Sequence, residues 1–406
     1  MALDVNHRDP GFLADPFPIF KRLRDEDPVH WSKNLRGWVL TRYDDVREVI
    51  VGDDMSSDRL SPFFKRMASE ERNKISDLIH YLGKWAVFRD PPEHTHLRGL
   101  MNQPFTPRIV DKMRESIEDL VTGMLDRAMD GGEMDLIKDL AYPLPATVMM
   151  DLLGVPRLEI DTIKQWSDEI ALFIGGAQSA DDKYARAQAA TCEMADYFRE
   201  MIADRRKSPK DDLTTGMLEA RERGDMLSED ELIGNCILLL FAGHETTTNF
   251  IGNGMLALMS QRDQLDLLNK EPGLIVSGIE ELLRYDGPSG SQVRIVSREL
   301  EMRGRVLNEG DRIFVFVNAG NRDERRFTNP DKINVARKRN RHLTFGQGIH
   351  FCLGAPLARL ESQIAIREMA RRLKDVELSV PKADLKYIDS VVLRGVKSIP
   401  VTFKAP

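Results

Sequence analysis

The chain is poor in cysteine. Its 406 residues hold only Cys192, Cys236 and Cys352, with no Cys-x-x-Cys spacing among them. A structural zinc site needs four thiolate or imidazole ligands, so the pattern argues against one. It offers no pairing scheme for disulfides either, which suits a reducing compartment. Long apolar runs are also missing. The first twenty residues carry Asp4, Arg8, Asp9, Asp15 and three prolines, and nothing there reads as a signal peptide or membrane anchor. Basic residues are in deficit, 58 against 65 acidic ones, for a net charge of -7. That balance argues against a nucleic-acid binder that works by neutralising phosphates. Internal repeats and low-complexity segments are absent. What remains, 42% hydrophobic and 30% charged, is the composition of a soluble globular protein. Its length suffices for one large or two ordinary domains, and the expected location is the cytoplasm.

Cys352 stands in the most informative stretch, Phe345-Gly-Gln-Gly-Ile-His-Phe-Cys-Leu-Gly-Ala-Pro. Gly346, Gly348 and Gly354 surround it, and glycine lets backbone turn tightly and approach a ligand closely. A helix is expected from Ala355, with Pro356 in its first turn, where the missing N–H costs nothing. Leu357, Leu360, Ile364 and Leu373 follow at helical spacing. A cysteine just before a helix N-terminus is expected to favour the thiolate. Such a group is a nucleophile, a metal ligand or an inert core residue. His350 stands two residues away, but Cys–His nucleophile pairs are adjacent in space rather than in sequence. With zinc disfavoured, a single axial thiolate on haem iron is the reading left standing.

A second stretch is a long helix. Ser228-Glu-Asp-Glu231 forms a capping box, and the pattern runs to Ser260, about 48 Å at 1.5 Å per residue. Ile237 to Ala242 is apolar all round, as in a buried helix. Asn235, His244, Glu245, Asn249 and Asn253 interrupt it, so it is not a membrane span. Inside it lies Ala242-Gly-His-Glu-Thr-Thr-Thr248. Glycine and threonine are poor helix formers, and a threonine hydroxyl can bond back to a carbonyl and bend the helix. Either this is a kink with satisfied polar groups, or Ala242 and Gly243 leave room for a small ligand beside Glu245 and Thr246.

Other pairs are weaker alone. Asp90-Pro-Pro92 reads as a helix start with Asp90 as N-cap, and His94 and Arg98 then share one face. Glu281 and Arg284 are an i,i+3 pair. His30-Trp31 and Trp38–Thr41 read as short strands and Asp44–Val51 as a short helix. The chain from Arg108 to Arg206 reads as helical throughout, with breaks at glycine and proline. Strands are expected over Gln292–Val296, Leu300–Arg303, Arg305–Leu307 and Arg312–Val317, and again after Val376. Arg337, Lys338, Arg339 and Arg341 form a basic run.

The spacing Phe345-x-x-Gly348-x-x-x-Cys352-x-Gly354 resembles the haem-binding signature of the haem-thiolate monooxygenases, the cytochromes P450, and above all the soluble bacterial members. Ala242-Gly-x-Glu-Thr246 resembles that family's oxygen-activation motif, and the likeness extends over nearly the whole chain. It implies one mainly α domain with small β-sheets over residues 1–406, with haem b held between the long helix and the cysteine loop. It further implies Cys352 as iron ligand and Glu245 and Thr246 as proton-delivering residues. His94, Arg98, Arg294 and His350 would bind the propionates, with Phe345, Gly346, Gly354 and Ala242 against the macrocycle. Trp85, Phe173, Leu239, Gly243, Thr247, Ser291, Gln292 and Val392 would line the substrate pocket. Glu281, Arg284 and Arg337 would form a structural triad. The expected reaction is hydroxylation or epoxidation of a hydrophobic small molecule by dioxygen. Electrons would come from a ferredoxin or flavodoxin with its NAD(P)H-dependent reductase, since no fused reductase is expected. Neither nucleic acid nor membrane is an expected partner. The alternatives are a peroxide-driven peroxygenase of the same fold and a non-catalytic haem gas sensor or electron carrier.

Overall fold

The structure, a computed structural model, describes residues 3–102, 105–176, 182–222 and 228–405. Helices dominate, and the sheets are small. The longest element is the central helix, Glu229–Ser260. Its capping box forms as expected: Ser228 Oγ accepts from the Glu231 amide at 3.2 Å, and the Ser228 amide donates to Glu231 Oε2 at 2.9 Å. The helix is buried on nearly every side from Leu232 to Phe241, because other helices surround it. Pro143–Leu153 and Ala355–Arg372 pack along it. The latter, the cysteine helix, begins at the predicted residue with Pro356 in its first turn.

Near the N-terminus, β1 (Val29–Ser32) and β2 (Gly37–Leu40) pair antiparallel. They join β3 (Met55–Ser56), β5 (Gln292–Val296) and β8 (Arg312–Val315) in a sheet of order β1-β2-β8-β5-β3, with β2 and β8 parallel. Strand β4 (Glu133–Asp135) pairs with β10 (Pro400–Lys404), which also pairs with β9 (Lys374–Leu378). β6 (Leu300–Met302) and β7 (Arg305–Leu307) form a hairpin. Two expectations fail here. The 108–206 stretch is not helical throughout, because β4 interrupts it: its partner strand lies more than 260 residues away, beyond the reach of local periodicity. Nor does Asp90 cap a helix. The helix starts at Glu93 after Pro92, while the Asp90 carboxylate accepts from Ser56 Oγ (2.5 Å) and the Ser57 amide (2.8 Å).

The segment that supports the cysteine loop is tied to a buried carboxylate. Glu281 is fully buried and accepts from Arg284 Nε and Nη2, both at 2.8 Å, and from Arg337 Nε at 2.8 Å. Its remaining lone pairs take the Asn334 amide (2.9 Å) and Asn340 Nδ2 (3.2 Å). Arg284, equally buried, spends its other N–H groups on the carbonyls of Asn321, Pro330 and Lys332. Asn321 passes the constraint on: its Oδ1 accepts from the Leu343 amide at 2.7 Å and its Nδ2 donates to Thr344 Oγ1 at 2.9 Å. The sequence-based triad is therefore a physical network ending one residue before Phe345. Removing one charge from such a network leaves the others buried and uncompensated. Glu281→Gln is expected to cost about 3–5 kcal/mol in urea unfolding; an unchanged midpoint would show that the network is not what holds this segment.

Candidate active site

A cavity of about 350 Å³ lies between the central helix and the cysteine loop. Ala242, Gly243, Glu245 and Thr246 line it from the helix, and Phe345, Cys352, Leu353 and Gly354 from the loop. The loop is a tight turn in which the Cys352 amide donates to Phe345 O at 2.8 Å. Gly346 and Gly348 sit at φ +67° and +70°, where a side chain would be strained. Gly346 does not itself line the cavity; its contribution is the turn. At Gly354 a Cβ would meet no atom within 4 Å, so open space lies beside the loop where a flat ligand can approach.

Burial decides the state of Cys352. It pushes the thiol up, although the Gly354 and Ala355 amides and the charges of Arg98 and Arg359 pull the other way. The expected thiolate at a helix N-terminus is thus not what the surrounding residues favour: desolvation outweighs the dipole. A cation at the sulfur would reverse the balance.

One edge of the cavity gathers cationic and donor groups. His94, Arg98, Arg294 and His350 all line it. The His94 and His350 rings lie 4.1 Å apart. Burial, then the charges of His94, Arg294, Arg98 and Arg59, pushes the His350 pKa down to about 3, so its ring is neutral, with Nε2 2.9 Å from Ser57 Oγ. Arg294 is buried and, among the described residues, finds only the carbonyl of Val293 as a hydrogen-bond acceptor, at 3.0 Å. His94 Nδ1 is buried without a partner. Unpaired buried donors and cations of this kind are costly, and a ligand bearing carboxylates along this edge would resolve them. The residues present therefore fit a macrocycle with acidic side chains.

On the helix wall, Thr246 Oγ1 donates to Ala242 O at 3.2 Å and Thr247 Oγ1 to Gly243 O at 3.3 Å, the back-bonding expected of mid-helix threonines. The glycine serves packing rather than a ligand, since a Cβ on Gly243 would come within 2.5 Å of the Met149 side chain. Glu245 Oε1 lies 3.3 Å from His244 Nε2, and His244 Nδ1 donates to Leu240 O at 2.6 Å. Burial works to raise the Glu245 carboxyl, but His244 and Lys164 outweigh it and hold it below its ordinary value.

Of the predicted substrate-pocket residues, Trp85, Leu239, Gly243, Thr247, Ser291, Gln292 and Val392 line this cavity. Trp85 stacks on Phe88 with centroids 5.7 Å apart and meets Phe241 in a tilted contact at 5.6 Å. Phe173 does not reach it. Its ring joins an aromatic cluster with Phe63, Phe64 and Tyr184 beside a neighbouring cavity, and Ile174 takes the lining position. The 391–393 tip is pinned in place: Gly290 N donates to Val392 O and Ser291 Oγ to Val391 O, both at 2.8 Å.

Sequence reasoning assigned no role to three lining or adjoining residues. Arg59 lines the cavity from a segment without periodic signal. His244 registered only as an interruption of an apolar helix. Glu361 lines the cavity with both carboxylate oxygens buried and unpartnered, and burial raises its pKa well above the ordinary value. Its signal was readable, because it stands four residues after Leu357 and three before Ile364, on the helix's apolar face. In the unfolded chain Glu361 ionises near its ordinary ~4.3. The neutral folded form therefore stabilises fully below that pH, and the contribution is lost as pH rises through the higher folded value. Glu361→Gln should gain stability relative to the parent as pH rises above the ordinary carboxyl range; a pH-independent difference in urea unfolding would contradict the neutral assignment.

A family model described as Cytochrome P450 matches residues 36–399. The chain is 35% identical over 401 residues to the polyketide biosynthesis cytochrome P450 PksS of Bacillus subtilis, covering 96% of each chain. It is 39% identical over 400 residues to cytochrome P450 107B1 of Saccharopolyspora erythraea, covering 97% of this chain and 96% of the relative. Among solved structures it is similar to CalO2, with a TM-score of 0.91, 31% identity and full coverage of both chains. No helix among the described residues is long and apolar enough to cross a membrane.

Proposed function

The chain belongs to the cytochrome P450 family, and from that premise we propose that it is a haem-thiolate monooxygenase acting on a hydrophobic small organic molecule within a single haem domain. The family implies an oxidoreductase with haem b and a redox partner in general terms. The observation that carries the finer reading is the placement of Cys352 across one cavity from Ala242, Gly243, Glu245 and Thr246. Cys352 Sγ would hold the iron; Arg98, Arg294, His94 and His350 would meet the propionates; Phe345, Gly354 and Ala242 would contact the macrocycle. Haem, when bound, supplies dioxygen binding and redox chemistry, and a thiolate ligand is the type that favours O–O cleavage.

The protein's own part is to exclude water, orient the substrate and move protons. Trp85, Phe241, Leu239 and Val392 provide apolar walls, which suit a hydrophobic substrate. His244 Nδ1 is committed as a donor to Leu240 O. His244 Nε2 then lies 3.3 Å from Glu245 Oε1, outside hydrogen-bond geometry, and sets that carboxylate next to the cavity. Thr246 Oγ1 donates its proton to Ala242 O and keeps lone pairs for a donor in the cavity. This acid–alcohol pair supports the dioxygen route over a peroxide-driven one. PksS is named for polyketide biosynthesis, which supports an organic natural product without selecting one. Electrons would come from a ferredoxin or flavodoxin and its reductase. Lys338, Arg339 and Arg341 are exposed near the cysteine loop and complement an acidic partner, whereas Arg337 is committed to Glu281.

Two outcomes test this. The reduced protein with carbon monoxide should show the red-shifted Soret band of thiolate ligation, and Cys352→Ser should lose it while Cys192→Ser and Cys236→Ser keep it. A thiolate spectrum retained in Cys352→Ser would refute the ligand assignment. Thr246→Ala should bind substrate and carbon monoxide normally while NADH oxidation is diverted to hydrogen peroxide. General acid–base steps contribute roughly 100–10,000-fold, so product per NADH should fall severely, and Thr248→Ala, whose hydroxyl is buried away from this pair, should not reproduce the effect. Full coupling in Thr246→Ala would remove that residue from proton delivery.

A further inference from the structure

A second cavity, about 1090 Å³, opens beside the first. The two share Arg59, Phe88, Ile174 and Val392 in their walls, so they meet at a neck formed by these residues. The outer cavity's floor is apolar, with Phe63, Phe173, Val293, Phe314 and Val391. Its charge is one-sided. Among the described residues, eight lysines and arginines line it against two carboxylates, Glu71 and Asp182, in a chain whose net charge is -7. Composition therefore does not account for this funnel; placement does.

Three of these arginines have no carboxylate partner among the described residues. Arg312, partly buried, donates to the carbonyls of Leu35 and Arg36 and feels the charges of Arg66 and Arg36. Arg66, which also lines the cavity, acts on Arg312 as a like charge and has no ion pair among the described residues. Arg59, at the neck, lies over the Phe88 ring at 4.3 Å, and burial and Arg294 push its pKa down to about 9. A guanidinium kept in a cavity with only an aromatic face as partner leaves its planar donor fork unsatisfied. The two propionates of a bound haem would already find Arg98 and Arg294, so Arg59 is a surplus cation.

We propose that the substrate is an amphipathic anion, an apolar body ending in a carboxylate or phosphate, and that Arg59 binds its charged end, with Arg312 and Arg66 drawing it into the funnel. The apolar body then lies toward Trp85 and Phe241, above Cys352, and oxidation falls on that body rather than beside the anion. This rests on the monooxygenase reading for the site's chemistry, but the anion site stands on its own geometry. A bidentate anion on arginine fits both head groups.

The test uses holoenzyme and four probes of one chain length: dodecanoate, monododecyl phosphate, methyl dodecanoate and dodecanol. Binding is read by calorimetry and by the spectral shift on displacement of iron-bound water. The two anions should bind at least about tenfold more tightly than the neutral pair, the scale of one charge-assisted contact, and added salt should weaken the anions alone. Preference for one anion over the other assigns the head group. Arg59→Gln should abolish the anion preference at unchanged haem content, Arg59→Lys should retain part of it, and Arg312→Gln, which lies outside the inner cavity, should weaken the anions without touching haem. Equal binding of all four probes, or no binding of either anion, overturns the proposal. So does an Arg59→Gln variant that sheds haem yet keeps the preference, since that would make Arg59 a propionate partner. A missing thiolate spectrum would sink the monooxygenase reading alone, because calorimetry reads the anion preference independently.

Discussion

The buried carboxylate of Glu281 is the constraint on which the site depends. Two arginines, a backbone amide and an asparagine converge on it, and through Arg284 and Asn321 they fix the carbonyls and amides that run up to Phe345. An irregular segment has no ladder to satisfy its backbone groups, so side chains must do so. Here one ion network supplies partners to a loop that must also keep open space beside Cys352. The network's value lies in position: paired charges buried this deeply seldom add net stability over apolar packing.

Around the cavity the opposite condition holds. Arg294, His94 and Arg59 line this space without a hydrogen-bonded carboxylate among the described residues, and Cys352 is held toward its neutral form by burial. These strains share one sense. A group bringing negative charge to the edge and positive charge to the sulfur would relieve them together. The protein alone is therefore electrostatically incomplete, and binding would stabilise the folded state by linkage.

The central helix joins the two conditions. Its apolar centre is buried by neighbouring helices, and one face between Leu238 and Thr247 meets the cavity. The helix runs unbroken through this run of weak formers, although threonine hydroxyls bond back to Ala242 and Gly243. The exposed polar atoms therefore stand on a rigid scaffold, the condition for presenting a proton to a defined point.

The residues alone determined the element types wherever a local rule applied. The Ser228 capping box set the start of the central helix, Pro356 and the leucine spacing set the cysteine helix, and the β-like runs at Gln292–Val296 and Arg312–Val317 marked β5 and β8. Motif spacing pointed to Cys352, Glu245 and Thr246, and the structure brings all three to one cavity. What only the tertiary structure decided were quantities that depend on distant neighbours. Strand β4 exists because β10 pairs with it. Asp90 turns from capping to hold Ser56 and Ser57, and Phe173 turns away while Ile174 faces in. Burial overrode the helix dipole at Cys352 and neutralised Glu361. Arg59, in a stretch without periodicity, gained its place at the neck from segments far along the chain. Sequence patterns encode contacts within a turn or two of backbone; desolvation and charge pairing are sums over the whole fold, and no local pattern contains them.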